Sequence, residues 1–352
     1  MQYSPADLSV LLDRLLEGGS LEQSEAARLL VALTAPDIAP AMAAALLVAL
    51  RAKGVTAAEL RGFAMAMRAQ ARRPELPAPL EAVDIVGTGG DRSGSLNLST
   101  GAALLTAACS LPVVKHGNRS ISSRAGSADV LQALGLPLPL DEAAAGRCFA
   151  ALGFTFLFAP YYHPATRNIA PVRATLAVRT VFNVLGPLSN PAAPPFLVIG
   201  AFSESTAELI AQALQGSDIR RAFVVHGAEG WDEPTPVGPF TLFDVGPDRV
   251  RREQRTPEDY GLPRCTSAAL AGGDAAYNAL ALQRVLDGES HDAHRDALLL
   301  GAALALEVSG REHQPLAALR RAADAIDHGA ARALLSGLRQ FGAAQTQGLG
   351  AA

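Results

Sequence analysis

The sequence predicts an α/β protein: a small helical domain joined to a larger α/β domain with a mostly parallel sheet. Three observations carry that prediction. Residues 1–75 keep helical spacing throughout, and from Val83 onward short apolar runs alternate with helical stretches, the pattern of a sheet buried on both faces. The length, 352 residues, suits two domains at about 100–200 residues each. The expected division is 1–75, joined by part of 165–195, as the helical domain, and 80–345 as the α/β domain that binds and catalyses.

Taken in order, Leu8, Leu11, Leu12 and Leu15 keep the i, i+3, i+4, i+7 spacing of one helical face, with Ser4 as N-cap and Gly18-Gly19 as the stop. Ser20 with Gln23 has the spacing of a capping box for the next helix, and Thr56 with Glu59 repeats it for the fourth. The stretch 38–50 is apolar nearly all round, so it is expected to be buried or to form a subunit contact. Pro74, Pro77 and Pro79 then mark a linker. Strands are expected over 83–86, 112–115, 154–158, 196–201 and 222–225, with helices over 99–108, 127–134 and 205–214 between them. A β-ribbon over 240–245 and 250–254 precedes a helical stretch from Gly273 to about Phe341, and 342–352 reads as a frayed tail.

Composition narrows the function classes. With 49% hydrophobic residues, 18% charged residues and a net charge of -4, the chain is neither disordered nor a general nucleic-acid binder. Its three widely spaced cysteines, Cys109, Cys148 and Cys265, form no CxxC pair, so neither a disulfide framework nor a zinc site is indicated. Nothing near Met1 reads as a targeting signal, and the longest apolar stretch is shorter than the roughly 20 residues that span a bilayer. A cytoplasmic enzyme with no membrane partner is expected. Lys53 and Lys115 are the only lysines, which makes a lysine inside a motif harder to dismiss.

Four signals carry chemistry. In the first, DIVGTGGD at 84–91 and SLNLST at 95–100, a buried strand runs into a glycine-rich turn, and Ser99 or Thr100 opens a helix. Glycines admit an anion close to the backbone, and the helix N-terminus adds free N–H groups; the alternative is a tight turn that needs glycine for steric reasons alone. The second, KHGNRSISS at 115–123 followed by Ser127, brings two cations, Lys115 and Arg119, together with several donors. It suits a polyphosphate ester or, more blandly, a polar surface loop. The third is Asp232-Glu233 just past a strand end, where open α/β sheets bind ligands; such a pair can hold Mg²⁺ or be an acidic turn. As loop carboxylates they are expected to be exposed and to add little to stability. The fourth runs from His163 through Arg173 to 179–191; Arg173 can fork onto a carboxylate or serve in a structural salt bridge.

Together with GSADVLQALG at 126–135, RTVFNVLGPLSNP at 179–191 and GGDAAYNA at 272–279, these motifs occur in the order seen in the anthranilate phosphoribosyltransferases of tryptophan biosynthesis, which the chain resembles over roughly residues 5–340. The resemblance implies a fold of the nucleoside phosphorylase/phosphoribosyltransferase kind and a homodimer formed through the helical part. It also implies a reaction: the phosphoribosyl group of 5-phosphoribosyl 1-diphosphate passes to the amine of anthranilate. Gly87, Gly90, Asp91, Ser95, Asn97, Leu98, Ser99 and Thr100 would hold the phosphoribosyl diphosphate. Lys115, His116, Gly117, Asn118 and Arg119, with Ser120, Ile121, Ser122, Ser123 and Ser127, would complete that site. Ser99, Asp232 and Glu233 would ligate two Mg²⁺ ions. Asn118, Arg173 and the backbone of Gly186 would meet anthranilate, with Gly87 near both substrates.

The chemistry asks for no catalytic nucleophile, since an aniline nitrogen is neutral and nucleophilic at pH 7, and no Ser-His-Asp signature is present. The chain departs from the family at Arg92 and Ala177, where glycine is usual, at Gly301, where asparagine is commoner, and at Trp231 and Pro234 beside the carboxylates. Two other readings compete. A pyrimidine-nucleoside phosphorylase would not need the paired carboxylates, and a catalytically silent relative would not need the full set of motifs.

Overall fold

Leucine spacing organises the first layer of the computed structural model, which describes residues 3–119 and 124–349. Helix α1 (Pro5–Leu16) turns Leu8, Leu11 and Leu15 inward and is capped by Ser4. Helices α2 (Gln23–Leu33), α3 (Pro40–Lys53) and α4 (Ala57–Ala69) follow. The box at the start of α4 forms as expected, with Glu59 N–H donating to Thr56 Oγ1 at 3.2 Å and Thr56 N–H to Glu59 Oε2 at 2.8 Å. The expected Ser20–Gln23 box does not form. Leu21 N–H is drawn onto the buried Glu59 carboxylate at 2.8 Å, which delays the helix, and Glu25 reaches back to Glu22 N–H at 2.8 Å instead. Gly62 lets α4 lie against α2, because a Cβ there would strike the Gln23 carbonyl oxygen.

Strands β1 (Val83–Gly87), β2 (Val113–Gly117), β3 (Phe154–Phe158), β4 (Phe196–Gly200) and β5 (Arg221–His226) pair in parallel in the order β3-β2-β1-β4-β5. Strands β6 (Phe240–Val245) and β7 (Val250–Arg255) extend the sheet antiparallel beyond β5. The connecting helices are α5 (Leu98–Ala108), α6 (Ser127–Ala133), α7 (Glu142–Leu152), α8 (Ala159–Tyr162), α9 (Thr166–Leu176), α10 (Phe182–Leu185) and α11 (Glu204–Leu214). Four more close the chain: α12 (Ala275–Leu286), α13 (Ala293–Val308), α14 (Pro315–Asp327) and α15 (Ala330–Leu349). Residues 342–349 of the expected frayed tail are therefore a helical end, and 350–352 lie outside the described residues. Gly342 is close enough to Gly135 that a Cβ would meet the Gly135 carbonyl, so this small residue is what lets the last helix dock.

The pleat divides the core in two. Leu197, Ile199, Ala222 and Val224 share a core with α11 and, beyond it, the four N-terminal helices, while Val198, Phe223 and Val225 share one with α5 and α12–α15, the period-2 alternation of buried strands. Ile169, Val172, Phe182 and Leu185 share the core of α1–α4. Strand order reverses between β1 and β4, which opens a crevice at their carboxyl ends, the usual ligand position in such sheets. Among the described residues, no helix is long and apolar enough to cross a membrane.

Candidate active site

Strands β1, β2 and β4 each run on to a glycine, one or two residues past or short of their expected ends, and glycines set the crevice. A Cβ at Gly87 would fall on the Asp232 carboxylate, one at Gly200 on the Asp232 carbonyl oxygen, and one at Gly227 on the Glu233 carbonyl oxygen. Glycine at these three positions therefore lets the segment after β5 fold inward beneath the turn after β1. Gly89 N–H donates to Asp232 Oδ2 at 2.5 Å, Asp232 N–H to Asp91 Oδ2 at 3.4 Å, and Ser99 N–H to Glu233 Oε1 at 3.1 Å. The first and third sequence signals thus meet in one place.

The carboxylates are not exposed as expected: Asp232 is only 7% exposed, because three glycines bring backbone around it. Burial, reinforced by the neighbouring Asp91 charge, pushes the Asp232 carboxyl up to about 7. Burial and then Asp232 itself raise Glu233 well above the usual carboxylate range. Glu233 Oε2 is buried without a hydrogen-bond partner. A small cavity of about 20 Å³, room for a single water, lies against Ser99, Asp232 and Glu233 and is floored by Ala102, Ala297 and Gly301. Gly301 allows α13 its approach, since a Cβ would lie 2.7 Å from that of Ala102.

An orphaned carboxylate oxygen beside two further carboxylates fits a hard cation. Among the described residues, no group of three or more His, Cys, Asp or Glu side chains is placed to hold a metal ion by itself; Mg²⁺ typically takes one or two carboxylates and finishes its shell with water and substrate phosphates.

Lys115 is nearly fully buried in the middle of β2, and its ammonium donates to the Ile85 carbonyl. Burial lowers its pKa while the Asp84 and Glu233 charges hold it up. Asp84, pushed up to about 6 by burial, accepts from Asn190 Nδ2 at 2.8 Å and from His116 N–H at 3.3 Å. His116 Nδ1 lies 3.2 Å from the Gly186 carbonyl, and its ring meets that of His163 edge-on at 5.1 Å. Burial drops the two rings to about 3 and about 4, so both are neutral at pH 7. These contacts bring the second and fourth signals together.

Other expected residues are occupied or turned elsewhere. The Asn97 side chain donates to the Ala125 carbonyl at 3.1 Å and accepts from Asn278 at 2.8 Å. Helix α5 begins at Leu98 rather than at Ser99 or Thr100, with Asn97 preceding it, because that pairing to Asn278 fixes the turn. Leu98 and Thr100 side chains are buried, leaving Leu98 only its backbone. Arg119 pairs with Asp129 at 2.7 Å, and the Ser127 hydroxyl donates to the Asn118 carbonyl at 3.2 Å. Ser95 and Gly117 lie in the turn and at the end of β2, the former bridged to Ala271. Ser120, Ile121, Ser122 and Ser123 lie outside the described residues. Arg173, on α9, places its guanidinium 5.0 Å from the Phe182 ring. The two expected-glycine positions, Arg92 and Ala177, both hold positive φ, at 61° and 49°.

Sequence reasoning missed Gly200, Gly227, Asn190 and Asn278 as site-forming residues. A glycine at or just after a strand's carboxyl end is the signal that marks the first two.

Residues 9–71 match the helical bundle domain of the glycosyl transferase family and residues 80–332 its a/b domain. The anthranilate phosphoribosyltransferase of Bradyrhizobium sp. (strain BTAi1) is 46% identical over 94% of this chain and 98% of its own. The crystal structure of the enzyme of that name from Thermus thermophilus superposes with a TM-score of 0.88 at 42% identity, covering 94% of this chain and 98% of that one. The Saccharomyces cerevisiae enzyme, in complex with 5-phosphoribosyl 1-diphosphate and Mg, superposes at 0.87 with 26% identity, over 97% and 99% of the two chains. The crevice built on Gly87, Asp232 and Glu233, and the likeness that runs through both domains, lead to one conclusion: the chain belongs to the anthranilate phosphoribosyltransferase family.

Proposed function

We infer that this crevice transfers the phosphoribosyl group of 5-phosphoribosyl 1-diphosphate to the amine of anthranilate, giving N-(5-phosphoribosyl)anthranilate and diphosphate in tryptophan biosynthesis. The observation that carries this reading is the pair Asp232–Glu233, the first buried and the second half-buried, held under the Gly87–Asp91 turn with one buried Glu233 oxygen unpartnered. A nucleoside phosphorylase using inorganic phosphate would have no use for that pair.

In this reading Gly87, Gly90, Asp91, Ser95, Ser99 and the Lys115–Ser127 region receive the phosphoribosyl diphosphate, through backbone N–H groups as much as side chains. Asp232, Glu233 and Ser99 would hold Mg²⁺, two ions in the fuller proposal, which neutralises charge building on the departing diphosphate. Lys115 adds a buried cation close to Glu233, where low dielectric strengthens its effect. Asn118, Arg173 and the Gly186 backbone orient anthranilate. His116 and His163, both neutral, add no charge to that side of the crevice. Aligning a neutral amine with the ribose C1 can itself contribute several kcal/mol, about 7–11 in the best-oriented systems.

We further assign residues 1–75 with part of 165–195 to one domain and 80–345 to the other, supported by the core that Ile169, Val172 and Phe182 share with α1–α4. A cytoplasmic homodimer through the helical face completes the proposal. The decisive experiment follows anthranilate fluorescence with 5-phosphoribosyl 1-diphosphate, with and without Mg²⁺. Loss of fluorescence that requires both supports the reading, and a signal unchanged by either refutes it.

A further inference from the structure

The glycine turn after β1 is gripped from outside by a residue to which the proposed reaction gives no task. Gly89 and Gly90 stand at φ +71° and +81°, so this backbone has little side-chain packing of its own to fix it. Arg179, in the segment between α9 and α10, donates from Nη2 to the Gly90 carbonyl. Its guanidinium carbon lies 3.8 Å from the centroid of the Phe202 ring, the stacking that a planar cation allows and an ammonium does not reproduce. Phe202 is tied to the same turn: its N–H donates to Thr88 Oγ1 at 3.2 Å, and Thr88 N–H donates to the Gly200 carbonyl at 2.9 Å. On the other side, the Arg179 carbonyl accepts from Arg51 Nη1 of α3 at 2.8 Å. Among the described residues, no carboxylate is within ion-pair distance of Arg179, so a salt bridge does not account for where it sits.

We propose that Arg179 is a positioning residue for diphosphate capture, holding the Gly90 carbonyl outward so that the Gly89–Asp91 backbone stays open to an anion. The proposal rests on the phosphoribosyl reading above. A trans peptide points its C=O and the next N–H in opposite directions, so fixing the Gly90 carbonyl on Arg179 also fixes the direction of the Asp91 N–H. Released, that carbonyl can rotate inward and set the negative end of a peptide dipole against phosphate oxygens, undoing the concave array of N–H groups that binds anions. The Phe202 stack limits the guanidinium's freedom, and the Arg51 contact links its backbone to the helical layer.

The test compares wild type with Arg179→Ala, Arg179→Lys and Phe202→Leu, measuring steady-state kinetics, calorimetric binding of 5-phosphoribosyl 1-diphosphate with Mg²⁺, and melting temperature. Arg179→Ala should weaken phosphoribosyl diphosphate binding about tenfold, the scale of one charge-assisted hydrogen bond, and raise its KM accordingly. The KM for anthranilate should stay within about twofold, since Asn118, Arg173 and Gly186, proposed to orient that ligand, lie outside the Gly89–Asp91 backbone that Arg179 holds. Arg179→Lys should recover part of the loss by keeping a donor, and Phe202→Leu should weaken the same ligand less. A lower melting temperature with unchanged phosphoribosyl diphosphate affinity would overturn the proposal, as would equal damage to both substrates. If Arg179→Ala does not fold, Arg179→Lys and Phe202→Leu decide by the same criteria. Failure of the wild type itself to bind the ligand would instead sink the phosphoribosyl reading, and this inference with it.

Discussion

Arg173 shows how a single side chain is read. Spacing left open a structural salt bridge or a carboxylate fork. The guanidinium faces the Phe182 ring, no ion pair involves it among the described residues, and burial alone lowers its pKa. A half-buried cation with an aromatic backing and no anion is poised for one. Arg173→Ala should therefore raise the KM for anthranilate by about tenfold or more, the scale of a charged hydrogen bond, with phosphoribosyl diphosphate binding nearly unchanged. Arg173→Lys should rescue only partly, because an ammonium lacks the planar fork. A variant with normal anthranilate KM and a reduced melting temperature would return Arg173 to a structural role. The Asp232–Glu233 pair makes the opposite argument about stability. Both carboxyls are buried, and a neighbouring carboxylate raises each further, Asp91 acting on Asp232 and Asp232 on Glu233. Without a cation they therefore strain the fold rather than support it. The double variant Asp232→Ala, Glu233→Ala should lose turnover by on the order of 100-fold or more, the scale of a missing electrostatic stabiliser. Its melting temperature in the absence of metal should match or exceed that of wild type. Retained turnover would remove the pair from the site.

At the scale of elements, the chain places glycine where strands end at the crevice and omits it where α9 ends. That helix closes on Ala177 at φ +49°, whose N–H donates to the Arg173 carbonyl at 3.2 Å. That left-handed position favours glycine, since a Cβ crowds the following carbonyl there. Ala177→Gly is expected to stabilise the protein by about 0.5–1 kcal/mol, after the entropy a glycine adds to the unfolded chain is subtracted. A urea or thermal unfolding curve checks the sign, and destabilisation would mean that the methyl group has packing worth more than the strain. The same substitution leaves the Arg173 carbonyl accepting from the N–H at position 177, so anthranilate KM should not move.

Across the whole molecule, the helical layer packs on the sheet through α11 while leaving apolar side chains exposed on its own surface. Val10 and Leu16 of α1 are 69% and 67% exposed, and Val48 of the neighbouring α3 is 45% exposed. Their exposure supports the proposed homodimer, since large apolar side chains left in water on neighbouring helices mark an interface. Sedimentation equilibrium should find a dimer for wild type and a monomer for Val10→Glu with Val48→Glu, with helical content unchanged because neither side chain belongs to the core. A wild-type monomer at micromolar concentration would refute the arrangement.

The sequence by itself determined the fold class, the alternation of strands and helices, and the motifs that gather at the crevice, because hydrophobic period and glycine-rich turns are local properties. It placed Thr56–Glu59 correctly as a cap, since both partners lie within one helical turn. It misplaced the Ser20–Gln23 cap, because the competing acceptor, Glu59, is remote in sequence and adjacent only after folding. It read Asp232 and Glu233 as exposed, for their shielding depends on Gly87, Gly200 and Gly227 arriving from the ends of three separate strands. Likewise, the Arg119–Asp129 pair, the Asn97–Asn278 bond and the grip of Arg179 on Gly90 join residues whose distances the chain order does not encode. Residue type and local spacing announce what chemistry is available; only tertiary packing decides which groups are buried, which are already paired, and which remain free to meet a ligand.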